Sequence, residues 1–372
     1  MTTKIKGWCP GAYRPMMSGD GLVVRIRPRL GRFGAKEIGA ICHLANAYGN
    51  GLIELTNRAN LQLRGVREES HVALLDDLAA LGVLDDDPTL ESRRNILVTP
   101  FWQSGDLTCR LTKSLIDRLA ELPSLPAKFG FAIDTGPVPV LAKDSADIRL
   151  ERGDEGDLML RADGASLGQA VTEAEAIDGI IMLANWFARK APDATTRMNR
   201  LLQNESLPEE WTAAAIAPEI ARPEPGQTQL GQLVGIPFGQ IEASALAEVL
   251  SPVSAVRTTP WRLLLLEGAA GLFHDSLISK PDDPLLNVDA CPGAPRCGSA
   301  AVETRGLARQ LAPRVKGSLH VSGCAKGCAR SNPADLTLVG GKGVFDIIRN
   351  GNAQACPERA GLTPADILTE MT

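Results

Sequence analysis

Histidine is scarce in this chain. His43, His71, His274 and His320 are the whole supply in 372 residues, and no H-x-E-x-H-like spacing joins them. A two-histidine, one-carboxylate iron site therefore has no local motif to be read from. Long hydrophobic runs are missing too. The best candidate, Trp261 to Leu266, is far short of the roughly 18 apolar residues a spanning helix needs. The N-terminus lacks the basic-then-apolar layout of a secretory signal, so a cytoplasmic protein is expected. Positive charge is not in excess: the formal net charge is −5, which argues against nonspecific nucleic-acid binding. Nicotinamide and flavin fingerprints are also absent. Gly340-Gly-Lys-Gly343 lacks the G-x-G-x-x-G layout and reads as a hairpin turn.

What the chain does have is cysteine in an informative place. There are eight cysteines and 44% hydrophobic residues, a soluble-type composition in a chain long enough for two or more cores. With no export signal, the cysteines point to metal or redox chemistry, not disulfides. Four of them form two close pairs, Cys291-Pro-Gly-Ala-Pro-Arg-Cys297 and Cys324-Ala-Lys-Gly-Cys328. Each pair lies in a turn rich in Gly or Pro, where backbone N–H groups are free to face thiolate sulfur. Four thiolates on two loops can hold a zinc ion or a 4Fe-4S cluster. Structural zinc sites favour tighter C-x2-C pairs, whereas a cube is wider and suits longer gaps. The plain alternative is four buried free thiols. Of the rest, Cys42 sits in a helical apolar stripe and Cys109 in an alternating run, both expected in the core. Cys9, in Trp8-Cys-Pro-Gly11, echoes the Cys291 turn and stays open as a functional candidate. Cys356 has no partner at ligand spacing.

Periodicity suggests a duplicated α+β chain. After a polar arm over residues 1–20, Leu22–Arg27 alternates as a strand, with Val23, Arg25 and Arg27 on one face. Ala35–Tyr48 shows helical spacing, Leu52–Thr56 and Leu61–Arg64 read as strands, and His71–Leu81 as a helix. This is a ferredoxin-like half-domain pattern. It recurs as a strand over Leu233–Phe238, a helix over Ala243–Leu250 and a return to the sheet over Val256–Gly268. Thr56–Gly65 and Thr259–Gly268 share one constant offset. Ala146–Leu150 and Ala334–Leu338 share another, which also relates Lys128, Phe131 and Ile133 to Lys316, Leu319 and Val321. Two repeats in A-B-A-B order predict a tandem duplication. Linkers at Asp85–Pro88, Ile216–Thr228 and Lys280–Pro284 give the plan. Residues 1–84 form the arm and first half-domain, 85–222 a first α/β block, 223–280 a second half-domain, and 281–372 a second block carrying the cysteines. The half-domains are expected to pair, with the blocks around a shared cleft at their interface.

A cationic set accompanies these elements: Arg25, Arg27, Arg58, Arg64, Arg94, Lys128, Arg257, Arg262, Arg296, Lys326 and Arg330. Any one can be a solvated surface group. Gathered in an acidic protein they suit a ligand with several carboxylates, which guanidinium binds in bidentate fashion. His320, four residues before Cys324, is a candidate to line the site and to supply a hydrogen bond, a proton or an iron ligand.

The order C-x5-C then C-x3-C resembles the cluster motif of the sulfite and nitrite reductase superfamily. Gly7–Gly21, Leu55–Gly65 and His320–Cys328 narrow the resemblance to its oxygen-dependent branch, the precorrin-3B synthases of aerobic cobalamin biosynthesis. It covers the chain from about Gly7 to Asn352. It implies a nitrite/sulfite reductase-like fold of paired ferredoxin-like half-domains and two larger domains around a central cleft. Cys291, Cys297, Cys324 and Cys328 would be ligands of a 4Fe-4S cluster, with Cys328 able to bridge to a second iron or haem. Arg27, Arg94 and Lys128 match residues of an oxyanion pocket, and Arg58 and Gln62 match residues that hold tetrapyrrole carboxylates. Arg25 and Arg64 join them as substrate-binding candidates. The expected reaction is oxygenation of precorrin-3A by dioxygen, with a mononuclear non-haem iron beside the cluster. Electrons would come from an external reductase or ferredoxin-like donor linked to NADH, and a monomer would suffice. Gly130 departs from the sulfite reductases, which carry a second lysine there. The rival readings are a sirohaem-dependent sulfite or nitrite reductase and a zinc-stabilised, non-catalytic binding module.

Overall fold

The computed structural model describes residues 10–218 and 220–371; Cys9 lies outside them. In chain order the first half-domain comprises β1 (Met16–Ser18), β2 (Gly21–Ile26), β3 (Arg32–Gly34), α1 (Ala35–Tyr48), β4 (Leu52–Leu55), β5 (Leu61–Val66) and α2 (His71–Ala80). The first block follows with α3 (Pro88–Arg93), β6 (Ile96–Val98), α4 (Leu107–Asp117), β7 (Phe131–Asp134), β8 (Ile148–Arg152), β9 (Leu158–Ala162), β10 (Leu167–Ala170), α5 (Ala176–Lys190), α6 (Met198–Leu201) and β11 (Ala214–Ala215). The second half-domain has β12 (Gly226–Gln227), β13 (Gly231–Gly235), β14 (Gln240–Glu242), α7 (Ala243–Glu248), β15 (Ala255–Thr258) and β16 (Leu263–Glu267). The second block has β17 (Val288–Ala290), α8 (Arg305–Leu311), β18 (Leu319–Ser322), β19 (Ala334–Gly341), β20 (Val344–Gly351), β21 (Arg359–Leu362) and α9 (Pro364–Glu370).

The duplication is visible in the sheets. The half-domain sheets run β1-β2-β5-β4-β14 and β12-β13-β16-β15-β3. Each borrows its last strand from the other half, so neither is complete alone. Register repeats as well: Ile53 faces Leu63, and Val256 faces Leu266. Even the strained backbone positions recur. Leu30 and Phe238 have φ of 52° and 56°, and Ala59 and Arg262 have 53° and 61°. One apolar core serves both halves, with Ile26, Ile38, Ile41 and Leu63 packed with Val234, Leu246, Val256 and Leu266. α1 starts where Glu37 accepts a hydrogen bond from its cap residue Gly34 at 2.8 Å, and it buries Ile38, Ile41, Leu44 and Ala45. Such i, i+3, i+4 spacing is what turns one helical stripe toward a core.

The blocks are a second duplicated pair. In each, two parallel ladders precede antiparallel ones: β6-β7-β8 then β9-β10-β11, and β17-β18-β19 then β20-β21. A hydrogen bond repeats too. Asp147 accepts the Gly130 N–H at 2.9 Å, and Asp335 accepts the Ser318 N–H at 2.7 Å.

The structure alters some expectations. The arm includes β1, paired antiparallel to β2. The strand read over Leu233–Phe238 ends at Gly235, where a turn over Pro237–Gly239 redirects the chain into β14. Cys109 is buried as expected, but on helix α4 and not in an alternating strand. Its neighbours Leu111 and Leu115 lie one turn apart on the buried face, so the period is helical. Gly340–Gly343 is a hairpin turn between β19 and β20, with Lys342 and Gly343 at φ 52° and 84°. Among the described residues no helix is long and apolar enough to cross a membrane.

Candidate active site

The two cysteine turns leave the ends of adjacent parallel strands. β17 runs directly into Cys291, and β18 reaches Cys324 after Gly323, with Ala290 facing Val321. Ligands in open α/β sheets collect beyond such strand ends. The Cys291 N–H donates to Val321 O at 3.3 Å, and the Gly323 N–H donates to Cys291 Sγ at 3.1 Å. The turns are tight. A side chain at Gly293 (φ 66°) would meet Thr304 Oγ1 at 2.6 Å, and one at Gly323 would meet Ala300 at 2.6 Å. Thr304 Oγ1 in turn donates to Cys291 O at 2.6 Å. Burial, then the neighbouring Cys324, Cys291 and Cys297, push the Cys328 thiol up against the pull of Lys326, which places the other three sulfurs within electrostatic reach of Cys328. No three His, Cys, Asp or Glu side chains among the described residues converge tightly enough to hold a single ion. Four thiols on two glycine-bearing turns, with an N–H already aimed at one sulfur, fit a wider cluster better than a zinc ion.

Cys42 and Cys109 are buried and Cys356 is exposed. Burial drives the Cys42 thiol up to about 12, so it is inert at neutral pH.

Beside the turns lies a cavity of about 1500 Å³, lined by residues of all four parts of the chain. Cys291 and Cys328 are on its wall. Its basic side chains are Arg25, Lys143, Arg149, Arg197, Arg222, Arg262, Arg305 and Arg330, and its acidic ones Glu54, Asp144, Asp163, Glu224 and Asp289. Several are prepaired. Arg262 and Arg330 share Asp289 at 3.3 and 3.0 Å, Arg222 lies 3.4 Å from Asp144, and Arg149 Nε donates to Asp163 at 2.8 Å. Trp261 Nε1 holds the other Asp144 oxygen at 2.8 Å. The cavity's size exceeds that of ordinary small-molecule pockets, and its polar wall suits a large, multiply charged ligand.

The sequence candidates divide into two groups. Arg25 and Gln62 are on the cavity wall, with Arg25 Nη2 donating to Gln62 Oε1 at 2.7 Å. Arg58 reaches the cavity edge through Ser145 Oγ at 3.4 Å and donates to Lys128 O at 2.8 Å. Arg64 is buried behind the wall, paired to Asp20 at 2.7 Å. Arg27, Arg94 and Lys128 are not on the wall. Arg27 pairs with buried Glu91, and Arg94 donates to Asp85 at 2.7 Å and to Arg27 O at 2.7 Å. Burial pulls the Arg94 guanidinium below its usual range, against the pull of Asp85. The Lys128 side chain is exposed. His320 is fully buried on β18, and both ring nitrogens lack a hydrogen-bond partner. Burial lowers its pKa, against the raising influence of Asp289.

Sequence reading missed Glu54, Phe238, Arg197, Arg222 and Arg305, all on the wall. Only for Arg305 was there a usable signal: it follows the Cys291 turn as the first residue of a helix.

Comparison with known proteins agrees with this layout. The family described as the nitrite/sulfite reductase ferredoxin-like half domain matches residues 14–81. A precorrin-3B synthase of Sinorhizobium sp is 30% identical, over 95% of this chain and 84% of that protein. A ferredoxin–nitrite reductase of Synechococcus elongatus is 24% identical over 90% of this chain and 79% of its own length. Among solved structures, the Mycobacterium tuberculosis NirA protein superposes with a TM-score of 0.63 at 18% identity, covering 94% of this chain and 79% of that one.

Proposed function

The chain belongs to the precorrin-3B synthase family, on the nitrite and sulfite reductase fold, and from that premise we propose that it is an oxidoreductase converting precorrin-3A to precorrin-3B. In that reaction one oxygen atom of dioxygen enters the macrocycle and a ring acetate closes as a lactone. The other atom leaves as water, formed with two electrons and two protons. The observation that carries the proposal is the large, arginine-bearing cavity abutting Cys291 and Cys328, in a chain so similar to a precorrin-3B synthase.

Cys291, Cys297, Cys324 and Cys328 would hold a 4Fe-4S cluster, which supplies one-electron relay when bound. Cys328 is the exposed member of the set, giving an external reductase or ferredoxin-like donor a short route inward. The chain's own part is to bind and orient. Arg25, Arg262 and Arg330 face the cavity with donors for the substrate's rim of carboxylates, and Asp289 fixes the last two against each other. For a mononuclear iron the described residues offer no three-ligand set of His, Cys, Asp or Glu; His320 remains the nearest candidate donor. Arg27 and Arg94, away from the wall, act on this reading as supports for β2, which bears Arg25, and the Lys128 carbonyl holds Arg58 in the turn between β4 and β5.

The sulfite or nitrite reductase reading is weaker. At Gly130, where a second lysine would stand, a side chain would meet Asn95 Nδ2 at 2.8 Å. The test is turnover of precorrin-3A under oxygen with a chemical reductant. The expected product is heavier by one oxygen atom, with none formed by Cys324→Ser, which should also lose cluster iron and sulfide. Stoichiometric sirohaem in the purified protein, with sulfite or nitrite reduction in place of that product, overturns the proposal.

A further inference from the structure

Among the described residues, Arg305 is the cavity-wall guanidinium with two buried nitrogens that lack a partner, Nε and Nη1. Its side chain is 14% exposed, and among the described residues its ion-pair partner is Glu54, at 3.7 Å from Nη2. That distance is too long for a hydrogen bond. Glu54 does not close the gap because both its oxygens are engaged, Oε1 by Gln240 Nε2 at 2.9 Å and Oε2 by Gln62 Nε2 at 3.3 Å. Arg305 is also held in place: its helix starts at Thr304, tied to Cys291 O, and its guanidinium lies 5.8 Å over the Phe238 ring. Burial lowers the guanidinium's pKa, and nearby Arg296 and Arg64 lower it further against the pull of Glu54 and Cys291.

The smaller cavity supplies a contrast. There Arg257, also on a cavity wall, donates to Pro100 O, Trp102 O and Glu267. The two cavities thus treat a wall arginine in opposite ways. One satisfies it from the chain, and the other leaves donors empty beside Cys291. A buried charged donor without a partner is costly and is normally matched in the working complex.

We infer that Arg305 is a positioning residue whose guanidinium takes one carboxylate of the substrate and so fixes the ring's orientation beside the Cys291 turn. This rests on the function proposed above and names a residue that the resemblance does not supply. The carboxylate replaces no protein group, because Glu54 stays with Gln62 and Gln240.

The test uses the cluster-bearing full chain and uroporphyrin, an octacarboxylate ring, as the probe, with binding followed by fluorescence quenching. Arg305→Gln should weaken binding about tenfold or more, the loss of one charge-assisted bond. Arg305→Lys should recover part of it, and Arg309→Gln, at the other cation near Phe238, should bind as wild type does. The cluster's visible absorption should be the same in all four proteins. If wild type binds and Arg305→Gln binds equally well, the inference falls while the proposed function stands. If Arg305→Gln instead alters the cluster spectrum with binding unchanged, Arg305 serves the cluster and the inference also falls. If wild type does not bind the probe, the proposed function itself fails.

Discussion

The two half-domains carry the same salt bridge with its signs exchanged. In the first, Glu54 on β4 and Arg64 on β5 lie 3.7 Å apart, loosely joined, and Glu54 faces the large cavity. At the equivalent positions of the second, Arg257 on β15 and Glu267 on β16 are in close contact, with Arg32 bidentate on Glu267 at 2.8 and 2.9 Å. Facing residues differ in the same sense. Arg25 and Gln62 pair across β2 and β5, while Leu233 and Leu265 occupy the matching register across β13 and β16. One backbone plan therefore yields an open, polar face and a closed one. The second face still borders a hollow of about 460 Å³, but its charges are satisfied within the chain. A duplicated fold can confine its chemistry to one interface by completing the hydrogen bonds at the other.

The contrast is broken most directly at the closed side. Arg257 is 4% exposed, stacks 4.2 Å from the centre of the Trp102 ring and ties the second half-domain to the loop after β6. Replacing Arg257 with Ala removes those ties and leaves Glu267 with Arg32 alone. The expected loss is about 3 kcal/mol of unfolding free energy, in the range for breaking a buried pair. Urea unfolding measures it. A loss below about 1 kcal/mol would show that this face is not a structural anchor, and the comparison would lose its basis.

The blocks give a smaller, pH-dependent contrast. Asp134 at the end of β7 and Ser322 at the end of β18 are equivalent. Ser322 Oγ donates to Cys324 O at 2.7 Å, holding a cysteine turn. Asp134 is 1% exposed, and burial raises its carboxyl to about 6, opposed by the Leu141 and Val140 N–H groups. Between the unfolded value near 4 and this folded value, the native state binds the extra proton. Stability should thus fall as pH rises from about 4 to about 6 and level off above, by on the order of 2–3 kcal/mol. Asp134→Ser, which gives the first block the chemistry of the second, should flatten that part of the profile relative to wild type. Parallel profiles for the two proteins would assign the slope to other groups.

How much of this was legible in sequence follows from the range of the interactions involved. α1 appeared with its observed bounds because Ile38, Ile41, Leu44 and Ala45 repeat at helical spacing, a local signal. The duplication was legible because backbone turns constrain sequence, as at Thr56–Gly65 and Thr259–Gly268, where Ala59 and Arg262 take the same left-handed conformation. The cysteine turns were legible as spacing, and their convergence follows from β17 and β18 being parallel neighbours. The exchange of β3 and β14 between sheets was not legible, because it depends on pairing partners about two hundred residues away. α5 went unread although Ile177, Ile180, Leu183, Ala184 and Phe187 carry a clear stripe. Arg27 and Arg305 show the limit for site residues. Composition marks both as cations, and only burial and partners separate one paired with Glu91, with its Nε alone left over, from one with two buried donors to spare.

The smallest effect sharpens the comparison most, because its sign is in question. If Arg305 is held ready for a ligand, its charge is a burden on the ligand-free fold. Its buried Nε and Nη1 lose water and gain no partner, and Glu54 at 3.7 Å compensates only in part. Arg305→Gln keeps much of the side chain's bulk over Phe238 and removes the uncompensated charge. Its urea unfolding in the absence of ligand should match wild type or exceed it by up to about 1 kcal/mol. Arg257→Ala, on the wall of the smaller cavity, should lose about 3 kcal/mol in the same assay. If both variants lost stability equally, Arg305 would be an anchor as Arg257 is, and the two faces would differ in shape alone.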